Sequence, residues 1–335
     1  MISTFLYAFN AIFPILFLAL AGYYLRNKGI FTIDFFKKLN YFAFHYCFPP
    51  LMFTNLYALG SVREINVRLA AYLMGSIVFI TLISFFLANI ITVQRNRKGV
   101  LIQAGFRSNF AVIGLPLAEG LAGTEGRMAA ASMQAPVVIY FNVVSVIVLA
   151  VFSESAGVDG KKIIRNVLKN PMVQGLGLGF VALITREFIP LNGQGELLFS
   201  ISRDLPWLYT ILSYLGRMGT PLSLIALGGQ FCFSDIPCVK KELICGVAMR
   251  LLMAPVIGFS VGFFLASKGI LQIDPTTMAI MIAAFGSPIA TSSAVMAAEM
   301  GGDDLLANQI VIWSCLFSMV TIFAMIVIFR TAGLI

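Results

Sequence analysis

Charge is scarce in this sequence. Only 11% of its 335 residues are Asp, Glu, Lys or Arg, while 59% are hydrophobic; soluble domains carry roughly 25% charged residues. A soluble fold of this length has too little interior to hide so much apolar surface, whereas a bilayer is itself an apolar solvent. Histidine is scarcer still. The single His45 excludes a multi-histidine metal site, and no metal or other cofactor is expected. The five cysteines, Cys47, Cys232, Cys238, Cys245 and Cys315, include no CxxC pair and read as small buried hydrophobes. With one histidine and no paired catalytic acids, no catalytic residues are assigned and an intramembrane enzyme is disfavoured. The net charge is +8, which in a soluble chain would suggest a nucleic-acid partner. Here the basic residues form short clusters between apolar stretches, a topology signal and not a binding patch. The N-terminus lacks a basic n-region, and its apolar stretch runs on to Leu25, so it reads as a spanning helix and not a cleaved signal.

What the chain does have is apolar stretches near the ~20 residues that cross a bilayer as a helix. Ten are legible, at 4–25, 39–58, 69–92, 100–122, 128–152, 171–188, 206–231, 242–266, 276–299 and 307–329. The longest polar connectors, 153–170 and 189–205, are too short for a soluble domain. The expected fold is an all-α membrane protein of ten transmembrane helices. Thirteen Lys and Arg follow odd-numbered spans, against six (Arg63, Arg68, Arg127, Arg186, Arg203 and Lys268) after even-numbered ones. By the positive-inside rule the odd connectors face the cytoplasm and both termini lie outside it, although Arg330 at the end of span 10 argues mildly the other way. The membrane implied is the plasma, or bacterial inner, membrane.

Proline marks a faint internal copy. Pro50 in span 2 and Pro221 in span 7 are 171 positions apart; Pro116 in span 4 and Pro288 in span 9 are 172 apart. Two features near one offset suggest a five-span unit: residues 1–152 as one copy, 153–170 as a cytoplasmic connector and 171–335 as the other. An odd number of spans per copy inverts the second, the plan of many secondary transporters. Proline within a helix removes a hydrogen bond and clashes with the preceding turn, so Gly114-Leu115-Pro116 and Gly286-Ser287-Pro288 predict breaks in spans 4 and 9, crossing near mid-membrane. Half-helix ends there would offer N–H donors to a carboxylate and carbonyls to a cation.

The candidate site residues follow. Gly114, Pro116, Gly286 and Pro288 form the breaks; Asn109, Thr291 and Ser292 are polar groups beside them, and Gln134 faces the same region from span 5, where Asn142 also lies. Each has a plain alternative as a helix cap or interhelical bond. Glu119 is the candidate for a coupling H+ or Na+, or else an interfacial residue. Arg250 could attract an anion, though a structural ion pair is the plainer role. For Arg107 and Arg217 a substrate route competes with snorkelling to an interface, and for His45 proton relay competes with simple packing.

These segments resemble the auxin efflux carrier family, which includes PIN-type carriers and bacterial malate or malonate permeases. The resemblance lies in Ala11-Ile12-Phe13-Pro14 through Gly22-Tyr23-Tyr24-Leu25, Asn40-Tyr41-Phe42 into Pro49-Pro50-Leu51, and above all Ser108-Asn109-Phe110-Ala111-Val112-Ile113-Gly114-Leu115-Pro116-Leu117. Asn170-Pro171, Met249-Arg250 through Pro255, and Gly301-Gly302-Asp303 extend it along nearly the whole chain. It implies a scaffold of spans 1, 2, 6 and 7 beside a mobile core of spans 3–5 and 8–10, elevator-like movement, and substrate held at the span 4/9 crossover by Asn109. The short connector between spans 5 and 6 departs from many plant members and favours a bacterial-type carrier of a small organic anion. A receptor or sensor that binds a carboxylate without moving it is the alternative. A homodimer joined through the scaffold helices is a further expectation.

Overall fold

The computed structural model describes residues 2–58, 66–153, 164–165, 168–190 and 197–335; Arg63, Lys161 and Lys162 of the charge count fall outside them. Among the described residues the chain is helical, with no named strand, and helices occupy all ten apolar stretches. In order they are α1 (Ile2–Asn27), α2 (Ile33–Phe42), α3 (Phe48–Tyr57), α4 (Val67–Ile91), α5 (Arg95–Phe106), α6 (Leu115–Phe152), α7 (Pro171–Glu187), the short α8 (Ile201–Asp204), α9 (Pro206–Gln230), α10 (Ile236–Ala248), α11 (Ala254–Ser267), α12 (Pro275–Met281), α13 (Ser292–Glu299) and α14 (Asp304–Thr331). Among the described residues three helical runs are long and apolar enough by themselves to cross a bilayer: Val67–Ile91, Phe233–Ser267 and Asp304–Thr331.

Local chemistry sets many of the ends. Asn66, Asn170, Asp274 and Asp303 accept backbone N–H bonds from the first turns of α4, α7, α12 and α14, satisfying donors that a helix start leaves open. Pro171 and Pro275 follow two of these caps, where a missing N–H costs nothing. α6 holds the sequence's spans 4 and 5 in one run: Ala122 and Gly123 leave helical geometry, Gly123 with φ +63°, a conformation glycine takes at little cost.

Four π-turns interrupt the helices, at Ala43–Cys47, Phe110–Gly114, Met249–Met253 and Ile282–Gly286. Each ends two residues before a proline: Pro49, Pro116, Pro255 and Pro288. A wider turn moves carbonyls away from the proline ring and shifts the bonding pattern past the missing N–H. One expected break is therefore not where the sequence placed it. Gly114-Leu115-Pro116 stays helical, because Leu115 N–H bonds to Phe110 O across the π-turn. The chain opens earlier, at Arg107–Asn109 between α5 and the π-turn. The second break spans residues 287–291 and does contain Pro288. The helices leading into the two breaks, Arg95–Phe106 and Pro275–Gly286, are twelve residues each and 180 positions apart. The offset of 172 between Pro116 and Pro288 thus pairs positions that are not equivalent in these two helices.

Two sets of close helix contacts stand out, while α1 also packs against α14 and α6. α1 lies against α9, with Gly228 so close to the Ala19 carbonyl that no side chain fits, and Arg26 donates to the Gly229 and Phe231 carbonyls at 3.2 Å each. α3 lies against α7 through Gly175 on Pro49 and against α9 through Gly216 on Leu51. In the other group Tyr72 of α4 donates to Gly258 O of α11 at 2.8 Å. Arg97 of α5 bridges Glu242 of α10 (3.0 Å) and Asp303 at the start of α14 (2.8 Å).

Candidate functional site

The two breaks cross antiparallel. Ser108 and Ile289 pair as an isolated β-bridge, with Asn109 N–H donating to Pro288 O (2.8 Å) and Ala290 N–H to Arg107 O (3.3 Å). Backbone groups freed by each break are thus partly satisfied by the other, as an apolar surround requires.

A fully buried cation organises the back of the crossing. Arg250, 1% exposed, donates from Nε to Ser287 O (2.9 Å), from Nη1 to Gly105 O (3.4 Å) and Phe106 O (3.3 Å), and from Nη2 to Ala284 O (3.2 Å) and Phe285 O (2.6 Å). These are the open carbonyls at the C-terminal ends of both helices that enter the breaks. A guanidinium fork suits several acceptors at once, and a cation complements the negative ends of the helix dipoles. The expected ion pair is absent among the described residues; carbonyls meet the charge instead.

On the other side of the crossing the starts of α13 and of the Phe110–Gly114 turn face a cavity of about 260 Å³. Asn109, Gln134, Thr291 and Ser292 line it, as do Arg107, Ser108 and Asn142. Its far wall comes from the other helix group: Phe48, Leu51, Met52 and Asn55 of α3, and Thr220 of α9. Among the described residues no acidic side chain lines it.

Arg107 is the second buried cation, 2% exposed, and its surroundings are the reverse of those of Arg250. Nη2 donates to Asn142 Oδ1 (2.9 Å) and Ser292 Oγ (2.8 Å), and Nη1 reaches Met296 Sδ. Asn142 is held for this by its own Nδ2, which donates to Val138 O at 2.8 Å. All of these partners are neutral. Beside them stand two half-helix starts, whose dipoles add positive potential. Ser108 Oγ and Asn109 Nδ2 are buried at the cavity with no hydrogen-bond partner among the described residues. The buried guanidinium therefore has no counter-charge among the described residues, an arrangement that is costly when left uncompensated.

Other expected site residues lie elsewhere. Gly114 packs on Ala283, and Gly286 on Met325; with Pro116 and Pro288 they shape the crossing but do not line the cavity. Glu119 sits outside it, paired with Arg127 at 3.1 Å, both side chains substantially exposed. Arg217 is exposed. From sequence alone snorkelling is the plainer role for Arg107, and nothing marks Asn55 or Thr220 as cavity residues, yet all three line the cavity. A legible signal for Arg107 was its place directly before Ser108-Asn109, too deep between two apolar runs to reach water.

The profile of the family described as membrane transport protein matches this chain in two stretches, residues 7–166 and 160–326. A protein from Methanothermobacter thermautotrophicus, named an uncharacterized transporter, is 22% identical over 315 residues, covering 93% of this chain and 95% of that relative. With the match running through nearly all of the sequence and through both breaks, the chain belongs to the membrane transport protein family, the auxin efflux carrier family.

Proposed function

We propose that this protein is a secondary active transporter of a small organic anion, a mono- or dicarboxylate, working by elevator-like alternating access. The observation that carries the reading is Arg107: a buried guanidinium with neutral partners, aimed with two helix starts into a cavity that has no acidic lining. A buried cation of this kind is costly within a membrane unless a ligand completes it. The elevator component draws on the cavity's position. One wall is the crossing, the other is α3 and α9, so sliding one group past the other would carry the site across. In this reading α1–α3, α7 and α9 form the scaffold, and α4–α6 and α10–α14 the moving core. Ten spans in two inverted five-span copies, with both termini outside the cytoplasm of a plasma membrane, complete the proposal; the antiparallel crossing of the breaks supports the inversion.

The test is uptake into proteoliposomes from a panel of labelled acetate, lactate, malonate and succinate. Wild type is expected to take up at least one member saturably. Arg107→Gln should lower that uptake at least tenfold, since a charge-assisted bond contributes about 1.5–3 kcal/mol. Saturable binding without uptake would instead identify a receptor. Uptake unaffected by Arg107→Gln would remove the anion assignment.

A further inference from the structure

Among the described residues no acid lines the cavity, and the acid expected to bind a coupling ion, Glu119, is paired and outside it. A different acid lies on the seam between the two helix groups. Glu299 is the last residue of α13. It is partly buried, and among the described residues no hydrogen bond or ion pair engages its carboxylate. Its helix packs against α2, the Ala43–Cys47 turn and α9 of the other group, and Glu299 lies within electrostatic reach of His45 in that turn. His45 is the chain's one histidine. Its Nδ1 is 3.1 Å from Tyr41 O, and since a carbonyl only accepts, Nδ1 carries the hydrogen. Nε2 is the ring nitrogen without that bond.

The other charges on the elements around this pair are engaged or exposed. On the core side Arg97 is held by Glu242 and Asp303, and Arg107 is engaged by Asn142, Ser292 and Met296, the last one turn before Glu299. Lys98 donates to Asn89, Arg95 to the Val151 carbonyl, and Glu119 pairs with Arg127. Glu125, Asp304 and Arg330 are exposed. On the scaffold side Asp34, Lys37 and Lys38 of α2, Arg217 of α9, and Lys169 and Glu187 flanking or ending α7 are exposed, while Arg186 donates to Tyr57 O.

We propose that Glu299 is the binding site of the coupling proton and that His45, across the seam, delivers and receives it. This rests on the transport reading above. A carboxylate dragged across the apolar face of a scaffold would carry an unpaired charge through a low-dielectric seam, and protonation removes that charge. In the exchange the Nε2–H bond of the imidazolium breaks and a carboxyl O–H forms, leaving neutral imidazole and neutral acid. Water at the open face resupplies the proton to Nε2.

The experiment uses full-length protein in proteoliposomes with the panel carboxylate that gives the fastest uptake, with and without an imposed pH gradient, beside carboxylate exchange at equal pH. Wild type should accumulate substrate at least threefold more under one gradient direction. Glu299→Gln should lose that stimulation yet keep half or more of the exchange, which needs no net proton movement. Glu299→Asp should keep the stimulation with a displaced pH profile, and His45→Asn should reduce it with exchange intact. A wild type indifferent to the gradient, or Glu299→Gln or His45→Asn stimulated as strongly as wild type, overturns the proton site while transport stands. Should Glu299→Gln prove inert in exchange, Glu299→Asp and His45→Asn decide. No uptake or exchange of any panel member by wild type would instead bring down the transport reading itself, and this inference with it.

Discussion

Arg107 and Arg250 show how far one residue type can diverge around a single crossing. Both are buried and both adjoin the crossing, yet Arg250 spends its donors on five carbonyls, and Arg107 points to neutral side chains at an open cavity. The first is completed by the fold; the second has only neutral partners among the described residues. Substitution should separate them. Arg250→Gln strands several buried carbonyls, each costing about 1–3 kcal/mol when left unpaired, so its melting temperature in detergent should fall clearly. Arg250→Lys should rescue it poorly, because a point charge cannot span the fork's acceptors. Arg107→Gln should melt at or above the wild-type temperature, as it removes a buried charge that the protein itself does not neutralise, while uptake collapses. Arg107→Lys should retain part of the uptake. Melting curves and uptake on the same four preparations check the set; a destabilised Arg107→Gln would mean that the fold does compensate this charge.

At the scale of the helices the informative feature is the pairing of each π-turn with a proline two residues on. The sequence made the prolines legible and marked both helices that break, but it could not say whether a given proline breaks a helix or is absorbed. That depends on what the freed carbonyls find. Around Pro288 they find Arg250 and Asn109 N–H, and the chain opens; before Pro116 the π-turn re-forms the ladder, and the chain opens instead at Arg107–Asn109. Pro116→Ala should consequently leave the site unchanged and alter stability by less than ~1 kcal/mol, measured by denaturation and by carboxylate uptake. Loss of uptake in that variant would return the break to Gly114–Pro116. The same reasoning explains which site residues were legible. Asn109, Thr291 and Ser292 are polar beside a break and so stand out in an apolar run. Asn55 and Thr220 come from the opposite group of helices and share no local pattern with them. Glu119 stood out only because it is charged, and a neighbouring arginine eight residues away answers that charge.

For the molecule as a whole, hydropathy marked ten stretches that helices occupy, because each stretch needs only its own composition to enter an apolar solvent, but it marked neither the short α8 nor the single run of α6 through spans 4 and 5. The grouping of helices was beyond such reasoning, since it depends on close glycine contacts such as Gly228 on Ala19 and Gly175 on Pro49 that leave no periodic trace. If the groups slide past each other during transport, a covalent tie across the seam must stop the cycle, and a tie within one group must not. Asn170 ahead of α7 and Met300 after α13 offer the first kind, with Asn170 Nδ2 only 3.3 Å from Met300 Sδ. Leu56 of α3 and Gly179 of α7 offer the second, with a Cβ on Gly179 falling 3.0 Å from Leu56 Cβ. In a background with all five native cysteines replaced, Asn170→Cys/Met300→Cys should lose at least nine-tenths of uptake on oxidation and regain it on reduction, with substrate binding preserved in one orientation. Leu56→Cys/Gly179→Cys should transport equally in both redox states. Full uptake by the oxidised seam pair, with disulfide formation confirmed by mass, would require a cycle in which α7 and α13 stay together and would end the elevator proposal for this protein.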